Sequence, residues 1–391
     1  MKTEGKRKYN FIETIKNKSI LTGSFEISSY KWKVKGNNEI INSLAFSRDG
    51  NTLASASETT IQLWDCSQEK ASFSDNNLGH HPSNEECMCQ KQKECPVDGH
   101  SDQVLCVVFS PNKNILASAS SDNTIKIWDT SSNALNLKQT LTYHSRPVNA
   151  VAFSPDGNKL ASASSDRKVV LWDVSDKEVK LNYVMPGIAL DETCTLCYGR
   201  EGFKRHPNCP IKGHHEVVDY LAFSYDNQTL ALGSRNGEII IWDLSDGSNP
   251  RLIWTRQVHK SQVFSVAFSP TARILTTCGD DYDDDMKWTF TLWSLENEIP
   301  LLKNQGWEID RILSATFSAN GKRLVFIMEK RVIRTILVDD PENFETSFRI
   351  VGGFLNCIAF SPTPKYLAIG DMDGNINVYK VTDSDLDTLY I

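Results

Sequence analysis

Apolar and polar residues alternate along most of the chain in short runs that close on recurring signals. The clearest stretch is VNAVAFSPDGNKLASASSDRKVVLWDVSD, residues 148 to 176, where apolar residues recur at every second position and a Pro-Asp-Gly turn follows the first run. Period-two alternation bounded by turn residues predicts antiparallel β-strands, because successive side chains of a strand point to opposite faces. The unit is an apolar strand ending in Phe-Ser, a turn, a strand of the LASAS type, a polar turn and a third strand ending in Trp-Asp. Near-copies are VLCVVFSPNKNILASASSDNTIKIWDT and VDYLAFSYDNQTLALGSRNGEIIIWDL.

The Phe that closes the first strand recurs as Phe46, Phe109, Phe153, Phe223, Phe268, Phe317 and Phe360, which marks seven units spaced by 63, 44, 70, 45, 49 and 43 residues. A basal period of about 44 is the length of one four-stranded propeller blade, and the two long intervals each hold roughly 20 to 25 extra residues. The pattern therefore predicts an all-β, seven-bladed propeller with two loop inserts. FEISSYKWKV, residues 25 to 34, alternates like a strand, while the last unit ends at INVYKV without a fourth strand. Residues 25 to 34 are predicted to supply the outer strand of blade seven, since joining the ends of the ring removes an unpaired edge. LNYVM, residues 181 to 185, is predicted as the outer strand of blade three.

GHSDQVLCVVFSP through IKIWD, and HSRPVNAVAFSPDG through VVLWD, resemble WD repeats, and the likeness covers nearly all of residues 25 to 381. The resemblance implies a hydrogen-bonded chain in each blade from a loop His, a Ser or Thr of the second strand, an Asp of the next turn and the Trp of the third strand. Blade two would use His100, Asp122 and Trp128 with Ser118 or Ser120. Blade three would use His144, Asp166 and Trp172 with Ser162 or Ser164. Blade four keeps His214 and Trp242 but has Asn236 for the Asp, and blade one has Trp64 without the His or Asp. Ile336 and Tyr379 stand in the Trp position of blades six and seven, which must rely on apolar packing.

Composition narrows the functions open to such a ring. A chain of 391 residues could hold two or three domains, but repeats merge into one: an N-terminal extension over 1–24, the propeller over 25–381 and a tail over 382–391. The formal net charge of −7 argues against a general nucleic-acid surface, whose affinity comes from Lys and Arg on phosphates. MKTEGKRKYNFIETIKNK has no apolar run of signal-peptide length, and no stretch approaches the roughly 18 apolar residues of a membrane span. The expectation is a cytoplasmic protein that does not enter a membrane.

Six of the ten cysteines lie in the inserts, about 67–99 and 186–212. The first contains His80, His81, Cys87, Cys89 and Cys95, and the second contains Cys194, Cys197, His206 and Cys209. CTLCYGREGFKRHPNC resembles a zinc knuckle, in which a Gly after Cys-x-x-Cys lets backbone amides approach the thiolates. Both inserts end alike, ECPVDGH and NCPIKGH, so Cys95 and Cys209 occupy matching places. Free buried thiols and a local disulfide are the other readings. Structural zinc is the expectation taken forward, because polar inserts of this length need a staple to order inside a compact domain. The turn GDDYDDDMKW of blade five concentrates Asp280, Asp281, Asp283, Asp284 and Asp285, in a spacing that fits no EF-hand and reads as a solvated hairpin tip.

No Gly-rich phosphate loop, Gly-x-Ser-x-Gly nucleophile or His-Glu-x-x-His is present, so the function expected is a non-catalytic scaffold or adaptor. The resemblance implies that a protein or peptide partner is held on the top face. Gln103, Leu105, Pro147, Asn149, Asp219, Gln262, Phe264, Arg311, Leu313 and Phe354 begin the innermost strands, and Ser121, Ser165 and Arg235 lie in turns on the same rim. Phe264, Phe354, Arg311 and Arg235 are the better anchors, because hot spots favour aromatic and Arg side chains. An RNA-binding propeller, which KEVK and GREGFKRH support only slightly, and a propeller metalloenzyme are the alternatives.

Overall fold

The computed structural model describes residues 30–35, 39–67, 72–73, 99–132, 135–185, 216–247, 249–281, 287–296, 299–307, 311–329, 331–339, 344–349, 353–362 and 366–380. These form seven four-stranded antiparallel sheets, each a meander from an innermost to an outermost strand. The innermost strands are Ser43–Phe46, Val104–Phe109, Val148–Phe153, Val218–Phe223, Val263–Phe268, Ile312–Phe317 and Leu355–Phe360, so every marker Phe closes an inner strand. Each inner strand contacts the next and the seventh contacts the first, which makes the sheets the blades of a closed ring.

Closure runs through the strand Tyr30–Lys35, which pairs antiparallel with Asn375–Lys380 and completes blade seven from the opposite end of the chain. The strand begins five residues later than its predicted start, and residues 25–29 lie outside the described residues. The outer strand of blade three spans Val179–Met185 and contains the predicted LNYVM. Blade one has the shortest outer strand, Ser72–Phe73, opposite Trp64 and Asp65.

Sheets that stand radially are buried on both faces, which explains why alternation fades in the second strands. All six residues of Ile115–Ser120 are buried. Their Ala and Ser side chains let the neighbouring blade approach, and larger residues of the flanking strands fill the interface. Between blades two and three, Ala117, Ala119, Ile125 and Ile127 pack with Val148, Val151, Leu160 and Trp172. Apolar burial of this kind stabilises by about 25 cal/mol per Å². Blade six forms the same four strands without a Trp: Ile336 is buried, and Phe326 packs on Phe290 of blade five with ring centroids 4.8 Å apart and the planes tilted by 49°. Tyr379 is buried among Ile369, Leu367 and Val325 in blade seven.

Hydrogen bonds link neighbouring inner strands as well. Asn42, Asn149 and Asn356 occupy one register position and donate from Nδ2 to the carbonyls of Val104, Val218 and Ile41 in the next blade, at 3.0, 3.2 and 2.8 Å. One residue on, Ser43 accepts from Val107 N at 3.2 Å, and Ser265 both donates to Ala315 O at 3.0 Å and accepts from Ala315 N at 3.1 Å. In the Pro-Asp-Gly turn, Gly157 has φ +65° and packs so closely on Asn112 of blade two that a Cβ would not fit.

Candidate functional site: the top rim

Two groups of chemistry-bearing side chains sit at one end of the strands, one consumed by the fold and one offered to solvent. In blade two, the Trp128 indole N–H donates to Ser118 Oγ at 2.8 Å, Ser118 Oγ lies 2.7 Å from His100 Nε2, and His100 Nδ1 lies 2.8 Å from Asp122 Oδ2. Blade three repeats this with Trp172 to Ser162 at 3.0 Å, Ser162 to His144 at 2.8 Å and His144 to Asp166 at 2.9 Å. A carboxylate only accepts, so Nδ1 carries the proton of the neutral ring and Nε2 accepts from the serine. The other serines cap the turn: Ser120 and Ser164 donate to Asp102 O and Arg146 O, both at 3.0 Å. Burial pushes the Asp122 and Asp166 carboxyls up, yet the bonds from His100 and His144, with backbone and Thr124 donors, outweigh it and hold both below the usual carboxylate range.

Ser-His-Asp in this order matches the connectivity of a hydrolytic triad, and the burial shows why it is structural here. Ser118 and Ser162 are fully buried, and their oxygens already accept an indole N–H. A nucleophile needs reach to a substrate carbonyl, and a fully buried serine has none.

The other blades vary the arrangement. In blade five, His259 lies 3.1 Å from Thr277 Oγ1 and 3.0 Å from Thr289 Oγ1, so a third-strand Thr takes the role of the Asp. Trp64 of blade one donates to Ser55 at 2.9 Å. In blade four, Ser234 donates to Asn236 Oδ1 at 2.5 Å, and His214 lies outside the described residues. In blade seven, Asp371 accepts from Gly353 N at 3.3 Å and from Asn375 Nδ2 at 2.8 Å.

The second group follows from one repeated backbone bond. In blades two to seven the residue six before the marker Phe accepts, through its carbonyl, the N–H of the residue twelve after that Phe: Ser121 to Gln103 at 2.8 Å, Ser165 to Pro147 at 2.9 Å, Arg235 to Val217 at 3.0 Å, Asp280 to Gln262 at 3.0 Å, Glu329 to Arg311 at 2.9 Å and Met372 to Phe354 at 2.8 Å. These residues form the top rim. Gln103 is exposed, as is Phe354 at 51 %, with the Arg331 guanidinium 5.2 Å from the Phe354 ring centroid. Arg235 is exposed and binds Asp219 with Nε to Oδ2 at 2.7 Å and Nη2 to Oδ1 at 3.2 Å. Asn149 donates to the same carboxylate at 2.9 Å and accepts from Ser165 Oγ at 3.2 Å. Burial pushes the Asp219 carboxyl up, against the pull of Arg235.

Phe264 departs from the exposed anchor expected of it. It is 6 % exposed and lies under Arg311, whose guanidinium is 4.4 Å from the ring centroid. The reason is its register: Phe264 is the second residue of its strand, between two blades, whereas Gln103, Arg311 and Phe354 each precede a strand. Ile40 and Met372 are rim residues that the sequence reading missed, exposed at 45 % and 42 %. Counting six back from Phe46 and twelve on from Phe360 finds both.

His80, His81, Cys87, Cys89, Cys95, Cys194, Cys197, His206 and Cys209 lie outside the described residues, as do Asp283, Asp284 and Asp285. Among the described residues there is no group of three or more potential metal ligands. Asp280 and Asp281 belong to strand Ile274–Asp281, opposite Trp288 and Lys287, so the blade-five hairpin is longer than its neighbours. Burial pushes the Cys106, Cys278 and Cys357 thiols up, Cys357 to about 12, which keeps them protonated at neutral pH. A recess of about 800 Å³ opens at the other end of the strands between blades one and two. Its polar wall is self-satisfied, with Asp49 bound to Ser47 Oγ at 2.6 Å and to Asn51 Nδ2 at 2.9 Å.

A closed ring of seven blades, each held by a buried Trp or its apolar substitute, defines a β-propeller. The family model described as WD domain, G-beta repeat matches residues 28–65, 90–129, 135–173, 206–243, 250–283 and 347–380, and the chain belongs to this WD-repeat family. The unmatched interval 284–346 contains most of blade six, whose third strand has Ile336 for the Trp. The chain is 38% identical over 313 residues to the Denticleless protein homolog of Danio rerio, covering 72% of this chain and 43% of that protein. It is 24% identical over 371 residues to WD repeat-containing protein 1 of Xenopus tropicalis, covering 91% of this chain and 49% of that protein. It is 32% identical over 176 residues to COMPASS component SWD1 of Saccharomyces cerevisiae, covering 42% of this chain and 40% of that protein. The chain thus spans about half the length, or less, of these relatives.

Proposed function

We propose that this propeller is a non-catalytic scaffold or adaptor that holds a protein or peptide partner on its top face, within a larger assembly. The observation that carries the reading is the contrast between the two groups of side chains. The Trp-Ser-His-Asp chemistry is buried and spent on holding blades. The rim positions share one backbone bond but carry different side chains: Gln103, Pro147, Val217, Gln262, Arg311 and Phe354. A preformed platform with chemically varied rim positions, of which Gln103 and Phe354 are exposed, suits recognition, because little ordering entropy is lost when a partner docks. One relative is named as a COMPASS component.

The inserts fit this reading as stapled loops. Cys194, Cys197, His206 and Cys209 make one four-donor set, and Cys87, Cys89 and Cys95 with His80 or His81 make the other. Complete sets of thiolate and imidazole donors suit structural zinc, which keeps no open position for a reacting water. Free thiolate donors of this kind suit the reducing cytoplasm. The test is affinity purification of the intact protein from its own cells beside a Gln103→Arg, Phe354→Ala variant of unchanged melting curve. Partners lost from the variant support the top-face reading, and partners retained in full overturn it.

A further inference from the structure

The rim is not uniform, and its most apolar sector lies where the ends of the ring meet. Ile40, Phe354 and Met372 are exposed and contiguous. Met372 N donates to Phe354 O at 2.8 Å, and Ile41 N donates to Asp371 O at 3.2 Å, which sets Ile40 beside Met372 across the boundary between blades one and seven. The contact between these blades is tight, since a Cβ on Gly370 would come within 2.7 Å of Ile41 Cγ2. The three exposed side chains therefore stand on a firm base.

Among the described side chains at this sector, the charges are unequal. Glu58 and Asp373 are exposed and Glu39 is half-buried, while Arg331 lies over the Phe354 ring. Asp373 packs against Gly353, immediately before Phe354. Glu39 and Glu58 face each other. The hydrogen bond from Glu58, then burial, then the Glu58 charge push the Glu39 carboxyl up to about 7. Two carboxyl groups that face each other form a place where a Lys or Arg side chain can bridge them. Anionic partners such as a nucleic acid or an acidic membrane surface meet repulsion here.

We infer that the junction of blades seven and one docks a short peptide bearing an apolar residue beside Lys or Arg, the apolar residue on Ile40, Met372 and Phe354 and the cation between Glu39, Glu58 and Asp373. The inference rests on the top-face reading and narrows it to one sector and one partner chemistry. Apolar contact gives the affinity, and the carboxylates set orientation and on-rate, so binding weakens as salt rises.

The test is a random short-peptide library displayed on phage, panned on the intact protein. Enriched peptides are then resynthesised with a fluorescent label and titrated against the protein and its variants. The expected peptides combine an apolar residue with Lys or Arg, and lose affinity by about ten-fold or more on Ile40→Glu and on Met372→Glu. Both substitutions fall on exposed side chains, and unchanged melting curves check that the variants fold. Peptides that ignore these variants but fail on Gln103→Arg with Pro147→Arg overturn the inference and leave the top-face reading standing. Peptides that ignore all four substitutions overturn both. Failure to enrich any peptide, or self-association of the protein that Met372→Glu abolishes, overturns the inference as well.

Discussion

Trp172→Ala is the perturbation that best tests whether the buried chains hold the ring. Trp172 is 4 % exposed and packs with Ile125, Ile127, Val148 and Val151 at the interface of blades two and three. Removing a buried Trp side chain costs about 3 to 5 kcal/mol, through lost transfer energy and the cavity left behind. The indole N–H also donates to Ser162 at 3.0 Å, and Ser162 stays 2.8 Å from His144. Trp172→Phe keeps most of the apolar volume and deletes only that donor, so its cost is about 1 kcal/mol. Urea unfolding should be followed by far-UV circular dichroism, because deleting a Trp changes the fluorescence baseline. Midpoints convert to free energies if the slopes agree, since the slope reports surface exposed on unfolding. A cost below about 1 kcal/mol for Trp172→Ala refutes the core assignment. Equal costs for the two variants would instead make the hydrogen-bonded chain, and not packing, the larger contribution.

Three further outcomes are expected. Because the Asp122 and Asp166 carboxyls titrate below their unfolded value, their bonds add stability above that value, about pH 4, and lose it as pH falls further. Urea midpoints across pH should show a less stable Asp122→Asn, Asp166→Asn variant at neutral pH and a shallower decline in acid. Deleting residues 1–35 removes the strand Tyr30–Lys35 and should lower the melting temperature sharply, an unchanged curve being evidence against closure by this strand. Elemental analysis of protein purified without added metal should find up to two zinc ions per chain, fewer in Cys194→Ser and in Cys87→Ser, and zero in the native protein would reject the metal reading.

The ring, the blade count and the closing strand were legible because each rests on periodicity, which alternation and marker spacing report directly. The His-Asp pairs were legible through the resemblance to WD repeats, and their spacing repeats: His100 and Asp122 are 22 residues apart, as are His144 and Asp166. Which serine joins each chain was not, because Ser118 and Ser120 lie on one face of their strand and only the place of the Trp separates them. Thr289 in blade five escaped because it replaces an Asp from a different strand, 30 residues from His259. The burial of Phe264 escaped because a position's exposure depends on the next blade, and here Arg311 covers it. The rim was legible as positions but not as a surface, since the nearness of Ile40 to Met372 exists only once the ring has closed.

That last point joins recognition to stability. Blades two and three carry the full buried chain, whereas blade seven has Tyr379 for the Trp and is built from both ends of the polypeptide. The junction of blades seven and one is held by the pairing of Tyr30–Lys35 with Asn375–Lys380, by the Asn356 bond to Ile41 O at 2.8 Å and by the apolar contact of Ile41, Ala368, Ile376 and Val378. A peptide seated across Ile40 and Met372 touches both blades, so it binds the closed ring and not the open chain. Binding and closure are then one linked equilibrium, in which a ligand at a hundred times its Kd adds about 2.7 kcal/mol to the folded state. A partner seated at this sector, which the fold holds without the Trp-Ser-His-Asp chain, would thus help to keep the ring shut.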